Sequence, residues 1–294
     1  MLINYEKVTA HLDKIRNGEI KEGLTLGFPE IDEYFRYKRS DFSVILGHAN
    51  TGKTTIVLFL MLAYSVKHDL KWLIFSSENE AYSIIRKLVE FLEEKTIEEI
   101  DAKTFKKHNE FISSHFKIID TSKMYTYREL LDLCSSVKQA WHYDGLLIDP
   151  YNSLIKDAKL ITSVGGHEYD YQATTELRIF AKKNGVSVWL TTHANTAAQR
   201  WTHRVDHPYA DVEGGGKFVN RSDSFLCCHR YISHPTEFMY TMLHVRKIKE
   251  VESGGRPTSF DDPIRLKALR NNVGFSIDGV SIIKKIIEKE RQPF

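Results

Sequence analysis

The sequence is poor in cysteine, and the few that it has exclude two classes of protein. Its 294 residues contain three cysteines, Cys134 and the adjacent pair Cys227 and Cys228. This number and spacing provide neither a disulfide framework nor a set of metal ligands. We therefore expect three small, buried side chains in a reducing compartment.

Net charge and long apolar runs are also scarce. The 41 Lys and Arg residues nearly cancel the 39 Asp and Glu residues, which leaves a formal charge of +2. Such a surface does not attract polyanions as a whole, so any contact with nucleic acid needs a local basic patch. No long uncharged apolar run is present, and the charges within residues 1–18 are unlike a signal peptide. The sequence thus predicts a soluble, cytoplasmic protein without a membrane span.

What is present suits an ordinary globular protein. Hydrophobic residues make up 42% of the chain and charged residues 27%, enough apolar material for a sizeable core. Short apolar strands alternate with helical segments, a pattern that predicts an α/β fold with a mostly parallel sheet and helices on both faces. From Phe225 onward the predicted strands follow one another without helices, which predicts antiparallel C-terminal strands.

Residues 4–17 carry apolar side chains spaced by three and four residues, which predicts an amphipathic helix. Tyr5, Val8, Leu12 and Ile15 form its apolar face. Such a face packs either on its own domain or, as a tether, on a neighbouring subunit. The sequence favours neither arrangement.

The most informative stretch is a glycine-rich turn between an apolar run, residues 42–46, and a helical run, residues 56–62. Strand, turn and helix in this order are the context of a phosphate-binding P-loop. Backbone N–H groups of the turn and of the new helix would bind phosphate oxygens, Lys53 the β- and γ-phosphates, and the Thr54 hydroxyl Mg²⁺. The predicted ATP-binding residues are Gly47, His48, Ala49, Asn50, Thr51, Gly52, Lys53, Thr54 and Thr55.

Two carboxylates follow predicted strands. Asp149 ends the apolar run 146–148, and the carboxyl ends of parallel strands line the ligand crevice of an open sheet. We therefore expect Asp149 to hold Mg²⁺ with Thr54, although a cap before Pro150 is the alternative. Glu78 is expected to activate the attacking water, and Glu80 is a weaker candidate because it lies farther from its strand end.

His193 follows the predicted strand 186–190, at the same edge of the sheet. A polar side chain there could contact the γ-phosphate and report its loss to the next loop. A lone histidine is more often a structural residue. Its position at a strand end favours the sensor role.

Together these motifs resemble the RecA-like ATPase domain of DnaB-type replicative helicases, especially the shorter bacteriophage forms. The resemblance extends from about residue 21 to residue 270 and depends on the order of several segments. The matching segments are residues 27–32, the P-loop 47–55, residues 75–78 with Glu78, residues 147–149 with Asp149, residues 192–195 with His193, and residues 214–223 followed by Arg230.

The resemblance implies a RecA-like P-loop NTPase that forms a homo-oligomeric ring, usually a hexamer, with ATP and Mg²⁺ between subunits and single-stranded DNA in the central channel. It implies that residues 1–20 are a linker helix that docks on a neighbour and that residues 21–294 are the ATPase domain. Members usually carry a further N-terminal domain that binds or contains a primase. Because none is expected here, a separate primase or loader becomes a possible partner, in the host cytoplasm if the protein is phage-encoded.

The family's trans-acting Lys-x-Arg pair resembles Lys247 and Lys249, with a lysine where the arginine finger is expected. Arg246 would substitute if the register slips by one residue. A lysine cannot make the bidentate contact that an arginine makes with phosphate oxygens. The alternative for this basic cluster is a solvated strand end.

Two stretches are candidates for nucleic-acid contact. Residues 197–221 contain Arg200, Arg204 and Lys217 among aromatic side chains, a composition that suits phosphate contact and base stacking. Residues 155–166, predicted as a loop, add Lys156. Composition alone favours ordinary exposed loops, and the resemblance favours segments that line the DNA channel.

The sequence therefore predicts an ATP-dependent, ring-forming DNA helicase motor that hydrolyses ATP between subunits and translocates on single-stranded DNA during replication. Two alternatives stay open. A RecA-type recombinase or annealing ATPase would form open filaments. A non-motor ATPase adaptor, such as a helicase loader, would bind a partner with little turnover and no stimulation by DNA.

Overall fold

A ten-stranded sheet organises the part of the chain that the structure, a computed structural model, describes: residues 3–18, 23–195, 212 and 215–290. The strand order is β10-β9-β8-β7-β6-β1-β5-β4-β2-β3. The strands are β1 (Phe42–Gly47), β2 (Trp72–Ser76), β3 (Phe116–Ile118), β4 (Gly145–Asp149), β5 (Ser187–His193), β6 (Ser224–His229), β7 (Tyr240–Ile248), β8 (Ile264–Ala268), β9 (Phe275–Ile277) and β10 (Val280–Ser281).

Helices connect and cover these strands. None of the described helices is long and apolar enough to cross a membrane. They are α1 (Tyr5–Arg16), α2 (Pro29–Asp32), α3 (Lys53–His68), α4 (Ala81–Glu93), α5 (Ala102–His115), α6 (Tyr127–Ala140), α7 (Ala158–Val164), α8 (Gly166–Asn184), α9 (Lys217–Arg221), α10 (Val251–Gly254) and α11 (Ile282–Glu290).

The predicted mostly parallel sheet with an antiparallel C-terminal extension is confirmed, with one change at β6. This strand pairs with β1 in parallel, and the antiparallel part begins only with β7. Strand β6 begins at the edge where β1 starts, since the amide of Asp223, the residue before β6, donates to the Phe42 carbonyl. The expected antiparallel pairing from Phe225 onward is present between β6 and β7 and between β7 and β8, whereas the parallel pairing of β6 with β1 was not foreseen.

One expectation was wrong, because residues 155–166 do not form a simple loop. Helix α7 occupies most of this stretch, and the Asp157 side chain starts it by accepting from the amides of Lys159 and Leu160. An aspartate in this position satisfies N–H groups that have no partner inside the helix. Strands β9 and β10 and helix α11 were not foreseen.

The core has two layers, one on each face of the sheet. On β1, Ile45 belongs to the cluster formed with α3, α4 and α11, whereas Val44 and Leu46 belong to the cluster formed with α6 and α8. This alternation follows from the two-residue period of a strand. Covering both faces leaves the ends of the parallel strands as the place where polar groups collect.

Helix α1 forms as predicted, with Asn4 accepting from the Lys7 amide at its start. Its apolar side chains do not enter either core cluster. Tyr5 is 73% exposed and Leu12 is 58% exposed. The described part of the chain therefore leaves the apolar face of α1 uncovered.

Candidate nucleotide-binding site

The turn between β1 and α3 has the backbone of a phosphate cradle. Gly52, immediately before α3, has a φ of 84°, a conformation that favours glycine. Gly47 is needed for space, because a Cβ there would lie 2.8 Å from the Cys228 carbonyl oxygen and from Lys53 Cγ. The two glycines thus serve different needs, since Gly52 adopts a positive φ and Gly47 allows close packing.

The strand order brings the predicted site residues to this turn. Strand β5 lies beside β1, β4 beside β5, and β2 beside β4, all in parallel. In this register Gly47 is opposite His193 and Asp149 is opposite Ser76. Asp149, His193 and Glu78 therefore collect at the carboxyl edge beside the P-loop, as the rule for open α/β sheets predicts.

Asp149 is the centre of a hydroxyl cluster. Its carboxylate accepts from the hydroxyls of Thr54 at 2.9 Å, Ser76 at 3.1 Å and Thr191 at 2.5 Å. Burial raises the pKa of Asp149, and these hydrogen bonds oppose that rise. Ser76 and Thr191 were not predicted as site residues; they belong to β2 and β5, the two strands that flank β4.

The Asp149 and Thr54 oxygens suit a magnesium ion that is shared with phosphate. Mg²⁺ prefers oxygen ligands, and it is commonly bound by one or two protein oxygens with water and substrate phosphates completing its shell. No group of three His, Cys, Asp or Glu side chains within the described residues could hold a metal by itself. This donor set therefore fits an ion that arrives with a nucleotide.

Glu78, His193 and Lys53 form a chain of polar contacts across the mouth of the cradle. His193 Nε2 lies 3.0 Å from Glu78 Oε1, and His193 Nδ1 lies 3.5 Å from Lys53 Nζ. The Lys53 ammonium donates to the His48 carbonyl at 2.8 Å, and burial lowers its pKa. Glu78 is half exposed, so its carboxylate can meet a water molecule while His193 orients it.

A cavity of about 460 Å³ opens over this cluster. Its volume is typical of a pocket for a small molecule such as a nucleotide. The P-loop, Glu78 and His193 contribute to its lining. The remaining lining residues were given no role from the sequence, although Arg230 follows one of the matching segments: Asn79, Lys87, Arg230, Thr241, Ala268, Asn272 and Phe275.

The predicted nucleic-acid contacts are placed differently. Arg200 and Arg204 lie outside the described residues. Lys217 is only 5% exposed, and its ammonium lies 3.2 Å from Asp170 Oδ2 and donates to the His167 carbonyl. In this position the Lys217 ammonium faces the protein interior, which does not favour its predicted contact with DNA.

The three candidate finger residues lie on or beside β7, away from this chain's own cavity. Ile248 pairs with Ser224, the first residue of β6, so this end of β7 is at the edge opposite the P-loop. The Lys247 ammonium donates to the carbonyls of Val219 and Ser222 at 2.6 and 2.7 Å. It thereby binds carbonyl groups at the C-terminal end of α9.

The neighbours of Lys247 make other contacts. Lys249 is 48% exposed, and its ammonium lies 3.8 Å from Asp223 Oδ1. The Arg246 guanidinium lies 5.8 Å from the centre of the Phe260 ring. None of these three cations lines the cavity of its own chain.

Sequence comparisons relate the chain to helicases. A family model described as the DnaB-like helicase C terminal domain matches residues 23–253. A curated protein of Leifsonia xyli subsp. xyli, named replicative DNA helicase DnaB, is 23% identical over 238 residues. That match covers 76% of this chain and 51% of the relative, so the chain spans about half the length of this relative.

Solved structures share the fold. A structure described as an ATPase domain matches with a TM-score of 0.73 at 17% identity, covering 92% of this chain and 96% of that one. A DnaB-like replicative helicase, described with its interactions with primase, matches with a TM-score of 0.71 at 17% identity, over 94% and 67%. A KaiC-like protein of Pyrococcus horikoshii gives a TM-score of 0.54 at 16% identity, over 87% and 96%. The RecA-like fold is thereby confirmed.

Proposed function

The chain belongs to the DnaB-like helicase C-terminal domain family, and from that premise we propose that it is a ring-forming motor that hydrolyses ATP and translocates on single-stranded DNA during replication. The observation that carries the proposal is the meeting of Thr54, Asp149, Glu78 and His193 beside one P-loop cavity. A P-loop alone indicates nucleotide binding. The added carboxylate and histidine provide the groups that hydrolysis requires.

The P-loop backbone and Lys53 bind the phosphates in this mechanism. Thr54 and Asp149 would hold Mg²⁺, which would supply positive charge beside the phosphate oxygens when bound. Because Asp149 is nearly fully buried and already bonded to three hydroxyls, its orientation is fixed before nucleotide arrives. Such preorganisation lowers the barrier without reorganisation at the moment of reaction.

Glu78 is the general base of the proposed hydrolysis. Its exposed carboxylate takes a proton from the attacking water, and the contact with His193 Nε2 sets its direction. His193 lies between the Glu78 carboxylate and the Lys53 ammonium. Because Lys53 is proposed to bind the γ-phosphate, loss of that phosphate would change the contacts of the His193 ring. We assign it the sensor role on that basis.

The site is completed by a neighbouring subunit. In a homo-hexameric ring, a cation at the far edge of one subunit would stabilise the charge that develops on the phosphates of the next. Arg246 and Lys249 are the better candidates, because the Lys247 ammonium is held by backbone carbonyls. The uncovered apolar face of α1 is proposed to dock on the neighbour and hold the ring together.

The partners follow from the same family membership. Single-stranded DNA would pass through the ring, near the stretches that contain Lys156, Arg200 and Arg204. A separate primase or loader is proposed to cooperate with the ring, in the cytoplasm of the cell. One structural relative is described together with its interactions with primase.

Steady-state ATP hydrolysis by the purified chain, measured with and without single-stranded DNA, tests the proposal. We expect strong stimulation by DNA, and loss of turnover in Lys53→Ala. Basal turnover that DNA leaves unchanged would contradict the motor and favour an adaptor. Electron microscopy of the same sample separates the remaining alternatives, because a recombinase would form open filaments instead of closed rings.

A further inference from the structure

One buried carboxylate outside the nucleotide site joins two separate segments of the chain. Asp170, near the start of α8, is only 4% exposed. It accepts from the Tyr151 hydroxyl at 2.8 Å, and the ammonium groups of Lys156 and Lys217 each lie 3.2 Å from it. Tyr151 and Lys156 follow β4, whereas Lys217 begins α9.

The segment that contains Tyr151 also contacts the nucleotide site. The Asn152 side-chain oxygen accepts from the His193 amide at 3.3 Å and from the Thr192 hydroxyl at 3.1 Å. Asn152 and Tyr151 belong to the same short 3₁₀ turn. A displacement of His193 can therefore be transmitted to Asp170 through the Asn152 side chain, the 3₁₀ turn that contains it, and the Tyr151 hydroxyl.

Further contacts hold both segments against Asp170. The Tyr151 ring packs edge-on against Phe218 of α9, with 5.1 Å between ring centres. The hydroxyl of Tyr169, the residue before Asp170, accepts from the Asp157 amide at the start of α7 at 3.2 Å. The turn after β4 and helix α9 are thus packed as one unit around Asp170.

The charges of this unit are unbalanced. Two ammonium groups share one carboxylate, and the Lys156 side chain is 45% exposed. A phosphate anion that approached Lys156 could replace Asp170 as its partner, while the buried Lys217 kept the carboxylate paired. A buried carboxylate without any cation would carry a large desolvation cost, so two cations allow one to be exchanged.

We propose that Asp170 is a positioning residue that couples the nucleotide state at His193 to the turn after β4 and to α9, and so to the availability of Lys156 for an anionic partner. The inference rests on the proposed function for the identity of that partner, single-stranded DNA. The coupling itself requires only that nucleotide bind at the P-loop. Coupling is reciprocal, so DNA at these segments would also alter the nucleotide site.

Hydrogen–deuterium exchange tests the coupling without DNA. The wild-type chain is compared with Mg²⁺ and either ADP or a non-hydrolysable ATP analogue. We expect exchange in residues 151–165 and 217–221 to differ between the two nucleotides by about fivefold or more. Tyr151→Phe and Asp170→Asn should abolish this difference. No difference in the wild type, or a full difference in folded Tyr151→Phe, would overturn the proposal.

Tyr127→Phe is the matched control. It also removes a hydroxyl that donates to a carboxylate on α8, Glu176, but this contact reaches neither segment. The control should keep the wild-type nucleotide dependence. Tyr151→Phe preserves the ring and its packing on Phe218, so it decides the question even if Asp170→Asn does not fold.

DNA-stimulated ATP hydrolysis provides the second readout. Tyr151→Phe should retain basal turnover and lose about fivefold or more of its stimulation by single-stranded DNA, whereas Tyr127→Phe should keep both. Wild-type stimulation in Tyr151→Phe would contradict the coupling. Failure of DNA to stimulate the wild type would instead contradict the proposed function, and the exchange experiment would still decide the role of Asp170.

Discussion

Polar side chains at the carboxyl edge of the parallel strands line a cavity, whereas the lysines Lys217 and Lys247 around α9 do not. At the edge, Lys53, Glu78 and His193 converge on an open cavity. Around α9, the ammonium groups of Lys217 and Lys247 turn inward to a buried carboxylate and to backbone carbonyls. A lysine in a phosphate-binding motif is thus placed by that motif, whereas a lysine in a basic stretch is placed by its tertiary partners.

The largest expected effect distinguishes the two carboxylates that compete for the role of base. Glu78→Gln should lower ATP turnover by about 100-fold or more, because general-base catalysis is lost while the side chain keeps its size. Nucleotide binding should remain near the wild-type level. The matched control is Glu80→Gln, an exposed residue outside the cavity, which should hydrolyse ATP normally. Equal losses in both variants would contradict the assignment of Glu78.

The second prediction concerns the inward-facing lysines. Lys217→Met should lower the free energy of unfolding in urea by about 2 kcal/mol, because it removes one of two cations from a buried carboxylate. Lys249→Met removes a half-exposed cation and should change stability by less than about 0.5 kcal/mol. Wild-type stability in Lys217→Met would show that its ammonium leaves Asp170 in solution.

The third prediction is that the buried ring of His229, near the P-loop residue His48, stays uncharged in the folded chain. Burial, with a smaller contribution from the nearby rings of His244 and His48, lowers the pKa of His229 to about 4. The unfolded chain has a histidine pKa of about 6.5, so it binds more protons than the folded chain between these values. Stability should therefore be complete above pH 6.5 and fall as the pH decreases toward 4.

Unfolding curves between pH 4 and 8 measure this effect. The loss attributable to His229 should reach about 3 kcal/mol at the acid end. His229→Phe should reduce the slope of stability against pH. The same substitution at exposed His167 should leave the slope unchanged. An unchanged slope in His229→Phe would show that another group carries the acid sensitivity.

The smallest expected effect sharpens the contrast between the two kinds of basic residue. Arg200→Ala and Arg204→Ala should each weaken binding to single-stranded DNA and reduce the slope of log affinity against log salt by about 0.7, if each contacts one phosphate. Lys217→Met should leave this slope unchanged, because its ammonium is buried. A reduced slope in Lys217→Met would show that Lys217, like the two arginines, contacts a phosphate of the DNA.

These contrasts explain what could be predicted from the sequence. The proximity of the P-loop, Asp149 and Glu78 was predictable, because a motif fixes the local backbone and parallel strands bring their carboxyl ends to one edge. The parallel pairing of β6 was not, because it depends on where the chain returns after β5. The burial of the Lys217 ammonium could not be predicted either, since its partner Asp170 is 47 positions away on another helix.

The rest of the nucleotide cavity shows the same limit. Arg230, Thr241 and Phe275 line it, yet they come from three parts of the antiparallel region. No periodicity or spacing relates them before the fold is known. Motifs therefore predicted the P-loop, Glu78 and His193, and only the tertiary structure revealed the remaining lining residues.

Displacement of a strand from a forked DNA duplex tests the central claim most directly. The wild-type chain should separate the strands only with ATP and Mg²⁺, and Glu78→Gln should bind the same fork with nucleotide and leave it paired. Strand separation by Glu78→Gln at the wild-type rate would contradict the account, as would a wild-type chain that hydrolyses ATP on the fork without separating it.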